Sequence, residues 1–353
     1  SRRVIMEMNQ TMVTKFLLLG FQNPPIFNTI LFIIFLLIYL LTLALNFLII
    51  SLVATVPSLN TPMYIFLSHL SVSDILVTTN ITPNMLRVIL HLESTISLTG
   101  CITQLQFHCL SAAAECLFLT VMSYDRYLAI CKPLHYTSIM DNRLCLHFAI
   151  SSWILSCTVS LLIAFQIYQL VFCGPHIIDH YFCDFIPLLQ LSCSDSTIVK
   201  ITDIVLTIPL VILPLSFILY TYISISLMIS RISTSSGKLK SFSTCSSHLI
   251  VVCTYYGVLI TIYMTPNNSS FNVSKAISLL YTMGTPLLNP IIYCLRNKDI
   301  KNAATLRQKR RSLSPTNEIA TNYRNVLDTD WVEYRKLWKV TTAFRRHRQE
   351  RGS

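Results

Sequence analysis

Charged residues are scarce in this chain, and they are unevenly spread. Asp, Glu, Lys and Arg make up 12% of the 353 residues, whereas soluble domains carry about 25%. None of the four occurs between Lys15 and Asp74, a stretch too long for one membrane span and broken only by the turn-like sequence PSLNTP at residues 57–62. We therefore expect a membrane protein with two spans in this stretch.

Glycine is scarce as well, and its placement excludes several kinds of catalytic site. The seven glycines lie too far apart to form a phosphate-binding loop. The sequence also lacks the pattern of an activated nucleophile or of paired catalytic carboxylates. We expect no enzymatic activity, and the only cofactor left open is a sodium ion near Asp74.

The excess of basic residues is confined largely to the carboxyl-terminal segment. Lys301–Ser353 contains 13 Lys and Arg against 5 Asp and Glu, a balance of +8 that leaves only +3 of the total +11 for the first 300 residues. A basic surface for nucleic acid would need its charge on the folded part of the chain. We therefore expect no nucleic-acid partner.

Long apolar runs account for most of the first 300 residues. The runs exceed twenty residues and show no two-residue alternation, which favours helices over the strands of a membrane barrel. They predict an all-α membrane protein with a seven-transmembrane helix bundle. The predicted spans are residues 26–56, 63–86, 98–130, 145–168, 197–229, 241–264 and 273–295.

The basic residues of the short connections predict the orientation of these spans. Lys and Arg follow spans three, five and seven, whereas the connections after spans two and four are neutral or acidic. Because basic connections stay in the cytoplasm, the N-terminus is expected outside and the C-terminus inside. The predicted order is an extracellular segment 1–25, a membrane domain 26–295, an amphipathic juxtamembrane helix 296–306 and a basic, disordered cytoplasmic tail 307–353. We expect a multi-pass plasma-membrane protein, glycosylated at the sequon that begins with Asn9.

Among the charged residues of the predicted spans, three are candidates for a role in switching or in a polar core. Asp125 and Arg126 precede Tyr127 at the inner end of span three, where a breakable ion pair could switch between two states. Two boundary charges that reach the interface separately are the alternative. Asp74 lies in the middle of span two, where it needs a proton, an ion or hydrogen bonds, and Asn46 and Asn289 could converge on it.

Prolines interrupt spans five and seven. Asn289 and Pro290 precede Tyr293 in span seven, and Pro214 precedes Tyr222 in span five. A proline inside a helix frees a carbonyl and permits a kink. These residues are candidates for movement between states, although any one of the prolines could be an ordinary membrane-helix kink.

Four cysteines fall on the predicted outer side of the membrane. Cys173, Cys183 and Cys193 lie in the loop after span four, and Cys101 lies at the outer end of span three. Disulfides persist on that side, and four cysteines allow three pairings. The loop also contains HIIDH at residues 176–180, for which a structural role is favoured over metal binding.

Five stretches together resemble the vertebrate odorant receptors, a branch of the rhodopsin-like G-protein-coupled receptors. The resemblance extends from about residue 16 to residue 302. The stretches are LNTPMYIFLSHLSVSD (59–74), MSYDRYLAICKPLHY (122–136), FCGPHIIDHYFCDFIPLLQLSC (172–193), KLKSFSTCSSHLIVV (238–252) and PLLNPIIYCLRN (286–297).

The resemblance implies specific pairings and a signalling mechanism. It implies Cys101–Cys183 and Cys173–Cys193 disulfides. Arg126 would meet a G protein once the inner end opens, with Tyr222 and Tyr293 rearranging around it and Tyr256 at the switch position. The implied partner is the heterotrimeric stimulatory olfactory-type G protein, which raises cyclic AMP.

The ligand site follows from the same resemblance and from the usual place of pockets between helices. The lining is largely apolar, and no carboxylate lies on the outer half of span three, which favours a small neutral volatile odorant over an amine. The implied ligand-binding residues are His108, Cys109, Ala112, Ala113, Leu206, Leu210, Leu259, Ile260, Tyr263 and Thr282.

Two other functions stay open at this point. A transporter or channel would need inverted repeats or a line of intramembrane charges, and the sequence shows neither. A non-signalling variant could result from the atypical tail, whose residues 326–344 have apolar positions at helical spacing and could instead bind membrane lipid.

Overall fold

The structure is a computed structural model that describes residues 14–21, 24–173, 176–264 and 271–296, together with Ile300 and Thr305. The compact unit that contains the helices ends at Ile300. The predicted helix 296–306 falls largely outside the described residues, and Asn9 and the tail 307–353 fall wholly outside them. The helices are α1 (Pro25–Thr55), α2 (Pro62–His91), α3 (Leu98–Cys131), α4 (Tyr136–Ile139), α5 (Asn142–Tyr168), α6 (Phe185–Gln190), α7 (Thr197–Arg231), α8 (Ser235–Met264), α9 (Phe271–Leu279) and α10 (Thr285–Arg296).

Seven helical rods make up the bundle in the described part of the chain, which confirms the predicted fold class. They are α1, α2, α3, α5, α7, α8 and a seventh rod in which a π-helical turn, Leu280–Gly284, joins α9 to α10. The largest shifts in bounds occur in α2 and α8. Pro83 lies inside α2 without ending it, and the helix stops at Leu92, whose φ of 63° is left-handed. The polar start of α8 continues the helix beyond the apolar run.

Apolar side chains face outwards on the peripheral helices. Leu37 of α1 is 61% exposed, and α7 exposes Ile208 and Leu213 in the same way, while the polar Thr42 and Asn46 of α1 are buried. By length and composition, α1, α3, α5 and α7 could each cross a membrane. This inside-out pattern is the one expected when lipid rather than water surrounds the bundle.

Helix α3 is the centre of the bundle. It packs against α2, α5, α7 and α8, and its buried positions include the small residues Ser111, Ala113, Ala114 and Ser123. Small side chains let helix backbones approach closely where lipid supplies no hydrophobic drive. A movement of α3 relative to α8 therefore has to break contacts on a densely packed helix.

A small sheet joins three connections at the end of the bundle that carries the disulfides, which we call the disulfide end. Strand β1 (Lys15–Leu19) pairs antiparallel with β2 (Glu93–Ser97) and parallel with β3 (Ile177–Ile178), in the order β2-β1-β3. Phe16 and Leu18 point inwards and are each 1% exposed. The strand lies within the predicted extracellular segment 1–25 and was not predicted, because its five residues pair with strands that lie far along the chain.

Gly20 fixes how closely β1 can approach α2. A Cβ atom at this position would overlap Cγ1 of Val88, which is fully buried and has little rotational freedom because it is β-branched. The absence of a side chain is therefore a packing requirement rather than a matter of backbone freedom.

We predict that Gly20→Ala destabilises the disulfide end by about 1–3 kcal/mol, the usual cost of overpacking. The expected observation is a lower unfolding temperature of the purified protein. Gly257→Ala is the matched control, because nothing lies within 4 Å of the corresponding methyl position. Equal unfolding temperatures for the two variants would contradict the packing argument.

Candidate functional site

Two disulfides hold the long connection between α5 and α7 against the bundle. Cys101 at the start of α3 bonds to Cys183, and Cys173 bonds to Cys193 within the connection. The Cys183 amide also donates to Oε1 of Gln104 on α3 at 2.9 Å. The structure therefore contains the pairing that the resemblance implied, and Gln104 is a buried polar anchor that the sequence analysis missed.

The aromatic residues of this connection pack as a lid over the helices. Tyr181 is fully buried and its hydroxyl lies 3.1 Å from Thr282 Oγ1, while Phe21 stacks on its ring. Lys275 donates to the Gly20 carbonyl at 3.0 Å and to Asp179 Oδ1 at 2.6 Å. The lid is thus tied to the amino-terminal segment and to the seventh rod by separate polar contacts.

A cavity of about 710 Å³ lies beneath this lid. Its walls come mainly from α3, α7 and the connection that contains α6, and most of its lining is apolar. The volume is in the range that takes a small organic molecule. The lining residues are Leu105, His108, Cys109, Ala112, Ala113, Cys116, Val159, Ile163, Phe182, Asp184, Phe185, Ile186, Leu189, Gln190, Lys200, Asp203, Ile204, Thr207, Leu210, Val211, Tyr255, Leu259, Ser278 and Tyr281.

Six of the ten predicted ligand-binding residues line this cavity. They are His108, Cys109, Ala112, Ala113, Leu210 and Leu259. The α3 residues lie on one face of that helix, and the His108 ring packs edge-on against Phe182 and Tyr281 with ring centroids 5.3 and 5.4 Å away.

Of the other four residues, three are not among those that line the cavity. Ile260 is 50% exposed, because the helical step of about 100° from Leu259 turns it towards the lipid face. Leu206 packs against the apolar cluster below the lid, and Thr282 is buried beneath Tyr181. Their role in ligand binding stays a prediction, and the Tyr263 side chain is outside the described residues.

Charged residues at the cavity were missed by the sequence analysis. Asp184 comes from the connection, whereas Lys200 and Asp203 come from the first turns of α7. A neutral ligand was expected because span three has no carboxylate on its outer half, and the other spans were not considered. Positions 200, 203, 204 and 207 share one helical face. This spacing was the sequence signal that could have placed Lys200 and Asp203 on the same wall of the cavity.

Three contacts join α3 to α8 from the cavity towards the other end of the bundle. The Tyr255 hydroxyl donates to the Ala112 carbonyl at 3.0 Å, and Tyr256 lies 3.1 Å from the Cys116 thiol. One turn further, His248 Nε2 lies 3.1 Å from the Leu119 carbonyl. Because Ala112, Cys116 and Tyr255 also line the cavity, its floor and this joint share residues.

His248 links the joint to α7 and was not identified from the sequence. Its Nδ1 lies 2.6 Å from the Tyr222 hydroxyl, and the two rings stack. In this structure Tyr222 bonds to His248, and its rearrangement around Arg126 stays a prediction. The position of a histidine inside the predicted span six was the signal that could have revealed this contact, and the structure buries this residue fully.

The predicted ion pair forms at the opposite end of the bundle, which we call the Arg126 end. Arg126 Nε donates to Asp125 Oδ2 at 2.9 Å, and its Nη2 contacts the same oxygen. The Tyr136 hydroxyl donates to Asp125 Oδ1 at 2.8 Å, which ties α4 to α3. Tyr127 lies apart from this pair, with its ring near Tyr220.

A buried polar cluster lies midway between the two ends. Asn289 Nδ2 donates to both oxygens of Asp74 at 3.1 and 3.2 Å and to Glu115 Oε1 at 3.1 Å. Asn46 does not join this cluster directly and donates instead to the Pro286 carbonyl at 3.1 Å. The Tyr293 hydroxyl is buried without a hydrogen-bond partner among the described residues.

Pro290 lies inside α10, immediately after the asparagine that serves the cluster. Its ring removes one backbone donor from the helix, as the sequence predicts. The π-helical turn Leu280–Gly284 lies earlier in the same rod. The seventh rod thus has a π turn before Thr285–Leu288 and a proline shortly after it. π turns within helices often mark functional positions.

Comparisons with known proteins agree with this geometry. A family model described as olfactory receptor matches residues 35–309. The chain is 44% identical over 304 residues to Olfactory receptor 10A7 from Homo sapiens, covering 85% of this chain and 96% of that protein. It is 43% identical over 296 residues to Olfactory receptor 226 from Rattus norvegicus, covering 82% and 90%.

Among solved structures, squid rhodopsin matches with a TM-score of 0.65 over 81% of this chain and 82% of that chain. The sequence identity of this match is 16%. It therefore supports the seven-helix fold and carries no argument about the ligand.

His180 in the lid generates a prediction about pH. Burial lowers its pKa from the usual value near 6.5 to about 4, Asp184 and Asp179 oppose this effect, and Lys275 and His108 add to it. Both ring nitrogens are buried and have no hydrogen-bond partner in the part of the chain that the structure describes. The folded protein therefore binds this proton more weakly than the unfolded chain does.

We predict that the stability contributed by neutral His180 is complete above pH 6.5 and is lost as pH falls towards 4, by about 3 kcal/mol at most. Unfolding temperatures of the purified protein between pH 7.5 and pH 4.5 measure the loss. His180→Phe should flatten this slope, whereas His176→Phe, at an exposed position of the same connection, should not. A slope that is unchanged in His180→Phe would exclude this residue as its cause.

Proposed function

This chain belongs to the olfactory receptor family, and on that premise we propose that it binds a small neutral volatile odorant and activates a stimulatory olfactory-type G protein that raises cyclic AMP. Membership makes the chain a membrane signalling receptor with a small-molecule ligand and a G-protein partner, not an enzyme. The identity of the ligand, the type of G protein and the second messenger are the proposed parts.

The observation that carries the proposal is the sharing of residues between cavity and helix joint. Cys116 lines the cavity and at the same time contacts the Tyr256 hydroxyl of α8. A molecule that presses on this wall changes the space available to the α3–α8 contact. Ligand and helix arrangement are therefore coupled through contacts rather than over a distance.

The mechanism is a shift between two arrangements of the bundle. In this structure His248 holds α8 to both α3 and α7, and Asp125 holds Arg126. An odorant that fits the cavity better when α8 has moved favours the moved arrangement in proportion to that difference in affinity. Separation of α8 from α3 at the Arg126 end then opens a surface for the G protein, with Arg126 released towards it.

The mostly apolar lining supports a neutral ligand, because an apolar body gains from burial there without the cost of removing a charge from water. A transporter receives less support. The buried carboxylates Asp74 and Glu115 share one amide in a single cluster, rather than lying along a path between the two ends.

The proposed orientation places the disulfide end outside the plasma membrane and the Arg126 end in the cytoplasm. Disulfides persist in the oxidising exterior, and the basic connections follow the positive-inside rule. The basic segment Lys301–Ser353 would then lie in the cytoplasm, where its residues 326–344 could bind anionic membrane lipid.

We predict that cells that express the receptor with an olfactory-type G protein raise cyclic AMP on exposure to some members of a broad panel of neutral volatiles. Arg126→Ala should abolish the response while surface staining stays unchanged, because it removes the group offered to the G protein. Arg87→Ala, at the other end of the bundle, is the control and should respond normally. A full response from Arg126→Ala would refute the assigned role.

We also propose that a sodium ion occupies the Asp74 cluster in one of the two arrangements. The donor set supports this, because Asp74, Glu115 and Asn289 Oδ1, which has no hydrogen-bond partner among the described residues, supply oxygen atoms. Hard cations prefer oxygen ligands. Burying two carboxylates between helices is costly unless protons, ions or hydrogen bonds stabilise them. A single amide donor supplies only a small part of that stabilisation.

This proposal predicts a higher unfolding temperature in sodium chloride than in choline chloride at equal ionic strength. Asp74→Asn should remove the difference between the salts, while the exposed Asp195→Asn should preserve it. Identical unfolding temperatures of the unmodified receptor in the two salts would exclude sodium and leave a shared proton as the compensation.

A further inference from the structure

One face of α7 changes character along the cavity wall. Lys200 and Asp203 line it near the disulfide end, Thr207 follows one turn later, and Leu210 and Val211 line the deep part. Seven residues of helix separate Asp203 from Leu210, which corresponds to about 10 Å. The wall therefore presents a charged upper part and an apolar lower part to anything that fills the cavity.

Asp203 is held in place but is not neutralised by a neighbour. Thr207 Oγ1 donates to its Oδ1 at 3.0 Å. No ion pair involves Asp203 within the described ranges, although Lys200 lines the same cavity one turn away. One carboxylate oxygen is thus oriented by the helix itself, and the other has no hydrogen-bond or ion-pair partner among the described residues.

The rest of the polar lining adds to this acceptor character. Asp184 Oδ1 accepts from the Phe185 amide at 2.8 Å and so caps α6. With Asp184, Asp203 and Lys200, the charged lining sums to −1. Two carboxylates against one ammonium group make the charged lining of the upper part acidic. A ligand's polar group would have to lie there if its apolar body fills the lower part.

We propose that Asp203 selects the ligand by its polar head, accepting a hydrogen bond from a hydroxyl or amino group while the apolar body lies against Leu210 and Cys116. The inference rests on the proposed function of this cavity and names its ligand class as an amphipathic hydrogen-bond donor. Ethers and esters of equal size can only accept hydrogen bonds, so they leave the carboxylate without a partner. Carboxylic acids bring a second negative charge to an already negative lining.

A neutral alcohol has the hydrogen-bond donor that Asp203 requires and is also uncharged, as the proposed function requires. A protonated amine would also satisfy the requirement, with a stronger, charge-assisted bond set against a larger cost of leaving water. The alcohol and the amine share a polar head that donates a hydrogen bond. A matched set of compounds distinguishes between these two ligand classes.

The experiment compares a medium-chain aliphatic alcohol with the methyl ether, the amine and the carboxylic acid of the same chain. Cyclic AMP output in cells is one readout, and stabilisation of the purified full-length receptor against thermal unfolding is the second. The variants are Asp203→Asn, which keeps the shape, and Asp203→Glu, which keeps the carboxylate. The control is Asp195→Asn, which removes a carboxylate that lies outside the cavity near the start of the same helix.

We expect the alcohol or the amine to act at concentrations at least about tenfold lower than the ether, the usual value of a hydrogen bond to a charged group. Asp203→Asn should remove most of this ratio, while Asp203→Glu and Asp195→Asn should retain it. An alcohol-to-ether ratio that is unchanged in Asp203→Asn would overturn the inference. A carboxylic acid that acts best and loses its effect in Lys200→Met would overturn it too, since Lys200 would then select the head.

The two readouts separate this inference from the function on which it rests. Stabilisation by the alcohol that depends on Asp203, without any cyclic AMP response, would support the ligand class and contradict the proposed signalling. An Asp203-dependent preference for the amine over the alcohol would support the donor head and contradict a neutral ligand.

Discussion

The side-chain amide of Asn289 serves two buried carboxylates, and this arrangement shows the constraint on which the bundle depends. Hydrocarbon supplies no hydrogen-bond partners, so a polar group between helices must find one on another helix or carry a large cost. Asp74 of α2 and Glu115 of α3 meet the amide of the seventh rod. Asn46 ties α1 to the same rod through a carbonyl of α10. The polar residues thus determine which helices lie side by side, while the apolar majority only keeps them in the membrane.

The same constraint explains how a cavity at one end can influence the other end. The α3–α8 joint consists of a few hydrogen bonds at Ala112, Cys116 and Leu119, not of a continuous apolar surface. Contacts of this kind have discrete made and broken states, because a group that leaves one partner in a dry interior needs another. His248 and Tyr222 extend the joint to α7, so the three helices that would move are held by one connected set of bonds.

The lid differs from the joint in being fastened by covalent and ionic contacts. The Cys101–Cys183 disulfide, the Lys275–Asp179 ion pair and the β1 strand bring together segments that are distant in sequence. A rigid lid gives the cavity a defined upper boundary near Asp184 and leaves the helices below as the parts free to respond. A ligand would gain free energy at the apolar floor by burying apolar area. At the charged upper wall it would gain free energy only with a polar group that forms a hydrogen bond there.

The number of helices, their positions along the chain and the pairing of Asp125 with Arg126 followed from the sequence, because spans in lipid must be long and apolar and boundary charges must be paired. Six of the ten expected cavity residues followed from the resemblance. The partner of Tyr222, the placement of Glu115 beside Asp74, the exposure of Ile260 and the strand at Phe16 did not. Each of these depends on the rotation of one helix or strand against another that lies far along the chain, and a one-residue turn of about 100° is enough to exchange lipid for cavity. That rotation is decided only when all seven rods pack together, which is why Asp203 became visible as part of the cavity wall only in the folded protein.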